Sequence, residues 1–157
     1  MSYVDGFVLA VPKANLETYK DMARLAGSVW MEHGALAYAE CIGDDVPYGD
    51  LTSFPRAVQA KDDEVVVFSW ITYPSRKDRD AILKKVMADP RLKGSMDNAP
   101  FDGKRMIYGG FEPFMQLQPS SGWETVGLAS AGSAPSPSSH SRKPYVSRSI
   151  SGSSLSP

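Results

Sequence analysis

The chain has 157 residues, a length that accommodates one domain with its own core. With 17 basic and 18 acidic side chains it is nearly neutral, which excludes a composition-driven attraction to nucleic acid or to an anionic membrane. A single cysteine, Cys41, excludes an intramolecular disulfide and a Cys-x-x-Cys metal site and fits a reducing compartment.

The opening Met1-Ser2-Tyr3-Val4-Asp5 meets an acid before any basic residue, so a signal peptide is not expected. No run approaches the roughly 18 apolar residues of a membrane span. The expectation is a soluble, cytoplasmic protein. Charge divides unevenly along the chain: residues 1–119 carry 14 basic and 17 acidic groups, residues 120–157 three and one. Neither balance is extreme enough to call for a polyanionic partner.

Tyr3 to Val11 is a β-branched and aromatic run stopped by Pro12, and it reads as a strand with apolar residues on both faces. From Lys13 to His33, Leu16, Tyr19, Ala23, Ala26 and Trp30 recur at helical steps, and Gly34 follows where a left-handed C-terminal residue is wanted. Leu36 to Ile42 predicts a second strand. Periodicity is then lost between Val46 and Glu64, a loop long enough to be functional or a cover, with Phe54 and Val58 as candidate anchors.

Val65 to Tyr73 is the strongest strand signal, and Pro74 ends it. Ser75 and Asp78 have the spacing of a capping box at the start of a second helix, whose stripe is Ile82 and Val86 and whose end is Asp89-Pro90. After a connecting segment, an Asp102-Gly103 turn leads into a last strand from Arg105 to about Met115, interrupted by Gly109-Gly110. Paired glycines inside a strand predict a bulge or a close backbone approach. Beyond Pro119 the composition changes. Serine supplies 14 of the last 38 residues, so residues 120–157 are expected to be a disordered tail and residues 1–119 the folded domain.

The element order β-α-β-β-α-β defines an α+β, ferredoxin-like plait: an antiparallel sheet with two helices on one face. Two helices cannot cover both faces of strands that are apolar on both. The open sheet face is therefore expected to pack against a second copy of the chain, as a homodimer.

Tyr3-Val4-Asp5-Gly6-Phe7, Gly43-Asp44-Asp45-Val46-Pro47, Glu64-Val65-Val66-Val67-Phe68-Ser69-Trp70 and the run from Pro100 to Glu112 resemble the bacterial DUF1428 (YbaA-like) family. The resemblance covers residues 1 to about 115. It implies a dimeric α/β barrel, two ferredoxin-like sheets packed face to face, and it implies no reaction.

No recognised catalytic or cofactor motif is present. His33, the one histidine before the tail, reads as a general base facing a pocket or as an imidazole closing the first helix; no orienting carboxylate is near it in sequence. Asp5 and Glu112 are carboxylates on apolar strand faces. With Arg105 and Tyr108 they read as a structural pairing, across the dimer if not within the chain, or as pocket groups. Trp30, Phe68 and Trp70, with Tyr73 and Tyr108, supply aromatic area for core or cavity.

The catalytic set is thus unknown, with His33, Asp5 and Tyr108 as candidates, and the ligand-pocket candidates are Trp30, Phe68, Trp70, Arg105 and Glu112. Asp44, Asp45 and Asp50 match no cation-binding loop, so no metal is expected, and no cofactor. No acidic-patch-seeking surface calls for nucleic acid, and no segment calls for a membrane. With no nucleophile–base pair visible, the reading favours a dimeric module that binds a small molecule or a partner. Its alternative is a cofactor-independent, monooxygenase-like enzyme acting on a small aromatic or quinone-type substrate, an analogy at the level of fold.

Overall fold

The structure, a computed structural model, describes residues 2–118. The expected tail, residues 120–157, lies outside them. Four strands, β1 (Tyr3–Pro12), β2 (Ala37–Ile42), β3 (Glu64–Tyr73) and β4 (Ile107–Phe111), form one antiparallel sheet in the order β2-β3-β1-β4. Helices α1 (Leu16–Glu32) and α3 (Arg76–Ala88) make the two crossovers of the ferredoxin-like plait, and a one-turn helix α2 (Phe54–Ala57) sits in the long loop. Among the described residues, no helix is long and apolar enough to cross a membrane.

Local chemistry explains the boundaries. The Pro12 that ends β1 is followed by a 3-10 turn at Lys13–Asn15 before α1 proper begins. Gly34 follows α1 with φ 111°, a backbone that L side chains rarely adopt. Ser75 caps α3, its Oγ accepting from the Asp78 amide at 3.0 Å. The Asp78 carboxylate returns to the Ser75 hydroxyl, at 2.6 Å, which tightens the first turn. β4 is shorter than the expected Arg105–Met115, because Gly103–Arg105 forms a 3-10 turn and pairing to β1 stops at Phe111.

Register sorts the side chains. Odd-numbered residues of β1 and β3 face the helices. Leu9, Val11 and Val67 pack with Tyr19 and Ala23 of α1, while Ile71 and Tyr73 pack with Val29, Ile82 and Val86 of α1 and α3. Even-numbered residues face the other way. There Val8, Ala10 and Val66 are covered by Val58, which the loop after β2 brings down on them; Val58 is 1% exposed. Arg56 holds that loop in shape, donating to the Tyr48 and Gly49 carbonyls and lying 3.9 Å over the Tyr48 ring.

The cover is partial. Phe68, Trp70, Ile107 and Phe111 remain on the uncovered part of that face, and Phe111 is 62% exposed. Gly109 and Gly110 interrupt nothing: β1 and β4 pair without a bulge from Val4↔Phe111 to Val8↔Ile107. Close approach explains Gly110. A Cβ at Gly110 would fall on the Tyr3 ring, 2.8 Å from Cε1, and the same ring lies under the Arg79 guanidinium, 4.9 Å away.

Candidate functional site

The sequence candidates are scattered over separate places and do not form one site. Asp5, 7% exposed on the helix side of β1, accepts from Arg79 Nη1 at 2.8 Å. It also shares a hydrogen bond with the Tyr73 hydroxyl, which in turn accepts from Trp30 Nε1 at 3.0 Å. This chain of contacts ties β1, β3, α1 and α3 together within one chain. Burial pushes the Asp5 carboxyl upward, and the Arg79 charge offsets only part of that.

His33, at the end of α1, lies 2.9 Å (Nε2) from Asp89 Oδ2, the carboxylate absent from its sequence neighbourhood. Arg91 donates to Asp89 and bridges to Glu32 at 2.7 Å, and its hydrogen bonds, with that of His33, hold Asp89 well below the usual carboxylate range. This cluster joins the C-terminal ends of α1 and α3. Arg105 grips Glu64 with two hydrogen bonds, at 2.8 and 2.7 Å, and also reaches Asp102. It borders a hollow of about 280 Å³ whose polar groups largely satisfy one another. Phe68 and Trp70 lie tilted against one another, ring centres 5.5 Å apart, on the uncovered face, Tyr108 packs on Phe7 at the β4 edge, and Glu112 is exposed beyond it.

A different constellation lines the larger hollow, an open groove of about 510 Å³ between α1 and the outer strand β2. That volume falls within the range of about 300–1,000 Å³ common for small-molecule sites. Its floor is Tyr19, Ala23 and Val67; Tyr38, Glu40 and Ile42 form the β2 wall, and Lys20, Arg24, Gly27 and Met31 the α1 wall.

At its base is Glu40. The Tyr19 hydroxyl donates to Oε2 at 2.8 Å and the Tyr38 hydroxyl to Oε1 at 2.9 Å. Ser69, opposite Glu40 on β3, is a third hydroxyl at the carboxylate. Burial still raises the Glu40 pKa, because these neutral donors lower it by less than desolvation raises it. Both tyrosines are pushed well above their ordinary range, first by burial and then by the Glu40 charge, so they stay protonated as donors.

Local sequence builds this arrangement. Two-residue alternation along β2 puts Tyr38, Glu40 and Ile42 on the helix side. Gly27, mid-helix, lets the Tyr38 ring lie against α1: a Cβ there would stand 2.9 Å from Tyr38 Cδ1. Glycine inside a helix costs about 0.5–1 kcal/mol relative to alanine, and the seating of that ring accounts for it here. Sequence reasoning missed Glu40, although a carboxylate on the face that Tyr38 and Ile42 share was a readable signal.

Fold and site together define a small ferredoxin-like protein with a carboxylate-based groove beside its outer strand. The model of the family "Protein of unknown function (DUF1428)" matches residues 2–103, and the chain belongs to that family. It is 54% identical over 112 residues to "Uncharacterized protein YbaA" of Escherichia coli (strain K12), covering 71% of this chain and 96% of that protein; the same figures hold for YbaA of Shigella flexneri. Solved structures are more remote. A "putative antibiotic biosynthesis monooxygenase" from Nitrosomonas europaea aligns with TM-score 0.47 and 14% identity, over 72% of this chain and 90% of its own. A "dimeric ferredoxin-like protein" from an uncultured marine organism aligns with TM-score 0.45 and 12% identity, over 74% of this chain and all of its own.

Proposed function

We propose that the protein is a homodimeric, cytoplasmic binding module for a small molecule, and that the α1–β2 groove is its ligand site. The observation that carries the reading is Glu40, a half-buried carboxylate fed by two tyrosine hydroxyls at the base of a concave, partly apolar groove. Convergent polar groups with a shifted pKa inside such a hollow are what a ligand site requires. A metabolite screen by thermal shift on the full chain tests it. Hits should raise Tm in the native protein and lose their effect in Glu40→Ala; hits that ignore the substitution would refute the groove as the site.

The homodimer rests on the uncovered face of the sheet. Phe68, Trp70, Ile107 and Phe111 form an apolar patch, and burying one such side chain fully is worth about 1.5–3 kcal/mol. A second copy supplies a face of the same chemistry by symmetry. Sedimentation should give twice the chain mass at micromolar concentration, and Ile107→Glu should shift it toward monomer. A native monomer at that concentration would overturn the dimer.

The enzyme reading, a cofactor-independent oxygenation of a small aromatic or quinone-type substrate, draws on one observation. Burial moves Glu40 upward, the direction a general base at neutral pH needs. Turnover lost in Glu40→Gln with binding retained would favour it over the module.

A further inference from the structure

Among the described residues, four carboxylates are withdrawn from solvent: Asp5, Glu40, Glu64 and Asp89. Three of them have a guanidinium within reach, Arg79 at 2.8 Å, Arg105 at 2.7 Å and Arg91 at 2.9 Å. Glu40 has none. The two cations on the rim of its groove are engaged elsewhere, Lys20 with Glu17 at 2.8 Å and Arg24 with Asp21 at 2.9 Å. A carboxylate taken partly out of water is costly unless paired, and this chain supplies the pair everywhere but here. The one withdrawn acid without a counter-charge is also the one that opens onto a hollow large enough for a small molecule.

From this contrast we propose that the groove binds an organic cation, a primary ammonium on a compact apolar body, with the ammonium paired to Glu40 beside the rings of Tyr19 and Tyr38. The proposal rests on the reading of the groove as the ligand site and adds the chemistry of the ligand. A carboxylate has about four lone-pair positions. The two tyrosine hydroxyls take one on each oxygen and Ser69 stands at a third, which leaves room for an ammonium N–H. Aromatic ring faces favour a cation over a neutral group of the same size. Met31 and Ile42, with the edge of Ala23, offer the apolar body its contact surface.

Three probes that share one body and differ in the charge of the head group test the proposal: 2-phenylethylammonium, 2-phenylethanol and phenylacetate. Each is titrated into the isotope-labelled full chain while the amides of Gly27, Glu40 and Ile42 are followed by NMR. The ammonium should move these amides and bind roughly tenfold or more tightly than the alcohol, as a charge-assisted contact warrants, and phenylacetate should leave them still. Glu40→Gln should reduce that preference to within about twofold, while Tyr38→Phe, which keeps the charge, should retain it. Equal affinity for the alcohol, or tighter binding of phenylacetate, at the same amides would overturn the cation and leave the site standing. No movement of the groove amides with any of the three at millimolar concentration would overturn the site and the proposal together.

Discussion

Asp5 and Glu40 are built from similar parts to opposite ends. Each is a carboxylate on the helix-facing side of the sheet, each is hydrogen-bonded to tyrosine, and burial raises the pKa of each. Asp5 has Arg79 above it and Trp30 behind its tyrosine, and only 7% of it is exposed. Glu40 has neutral hydroxyls and an open groove. The difference teaches how the same residue type serves as a rivet when the chain completes its electrostatics and as a receptor when it does not.

The comparison breaks most strongly at Arg79. Arg79→Met removes the cation paired with Asp5 among the described residues and leaves a 7%-exposed carboxylate uncompensated, so stability measured by urea unfolding should fall by about 3 kcal/mol or more. Adding Asp5→Asn to it should recover part of the loss. A loss below about 1 kcal/mol for the single variant would show that the pair is idle.

A smaller effect is expected at Gly110. Valine there must displace the Tyr3 ring from its place under Arg79, and overpacking of this kind costs about 1–2 kcal/mol. A wild-type Tm would show that the ring moves aside freely.

The smallest effect has the opposite sign. Because the folded-state pKa of Glu40 is raised, the stability linked to its proton is fully present below the unfolded value and is lost as pH rises through the folded value. At pH 8 the ionised Glu40 is a net cost, and Glu40→Gln should gain up to about 1 kcal/mol there, with the gain shrinking toward pH 4. A loss at pH 8 would mean that the tyrosine hydroxyls bind the anion better than burial penalises it. Lys20 and Arg24 on the rim and Tyr19 and Tyr38 at the carboxylate are the other titratable groups facing this site.

The fold was legible because its signals are local. Pro12, Gly34, Pro74, the Ser75 cap and Asp89-Pro90 sit next to the boundaries they cause, and the apolar character of both sheet faces is visible along single strands. The site was not legible, because its contacts cross the chain. Tyr19 reaches Glu40 from 21 residues away, Asp89 reaches His33 from 56, and Arg79 reaches Asp5 from 74. Each side chain is ordinary in its own neighbourhood. Only the alternation that places Glu40 between Tyr38 and Ile42 on a covered face could have singled it out.

Trp30 and Trp70 stand on opposite faces of this one sheet. Trp30, half-buried, lies on the helix side, bonded to Tyr73, and Trp70 lies tilted against Phe68 on the uncovered side. The protein thereby carries two optical windows onto different events. With Trp123, which lies outside the described residues, changed to Phe, a second copy seated on the uncovered face would alter emission from Trp70, and loosening of the core would alter emission from Trp30.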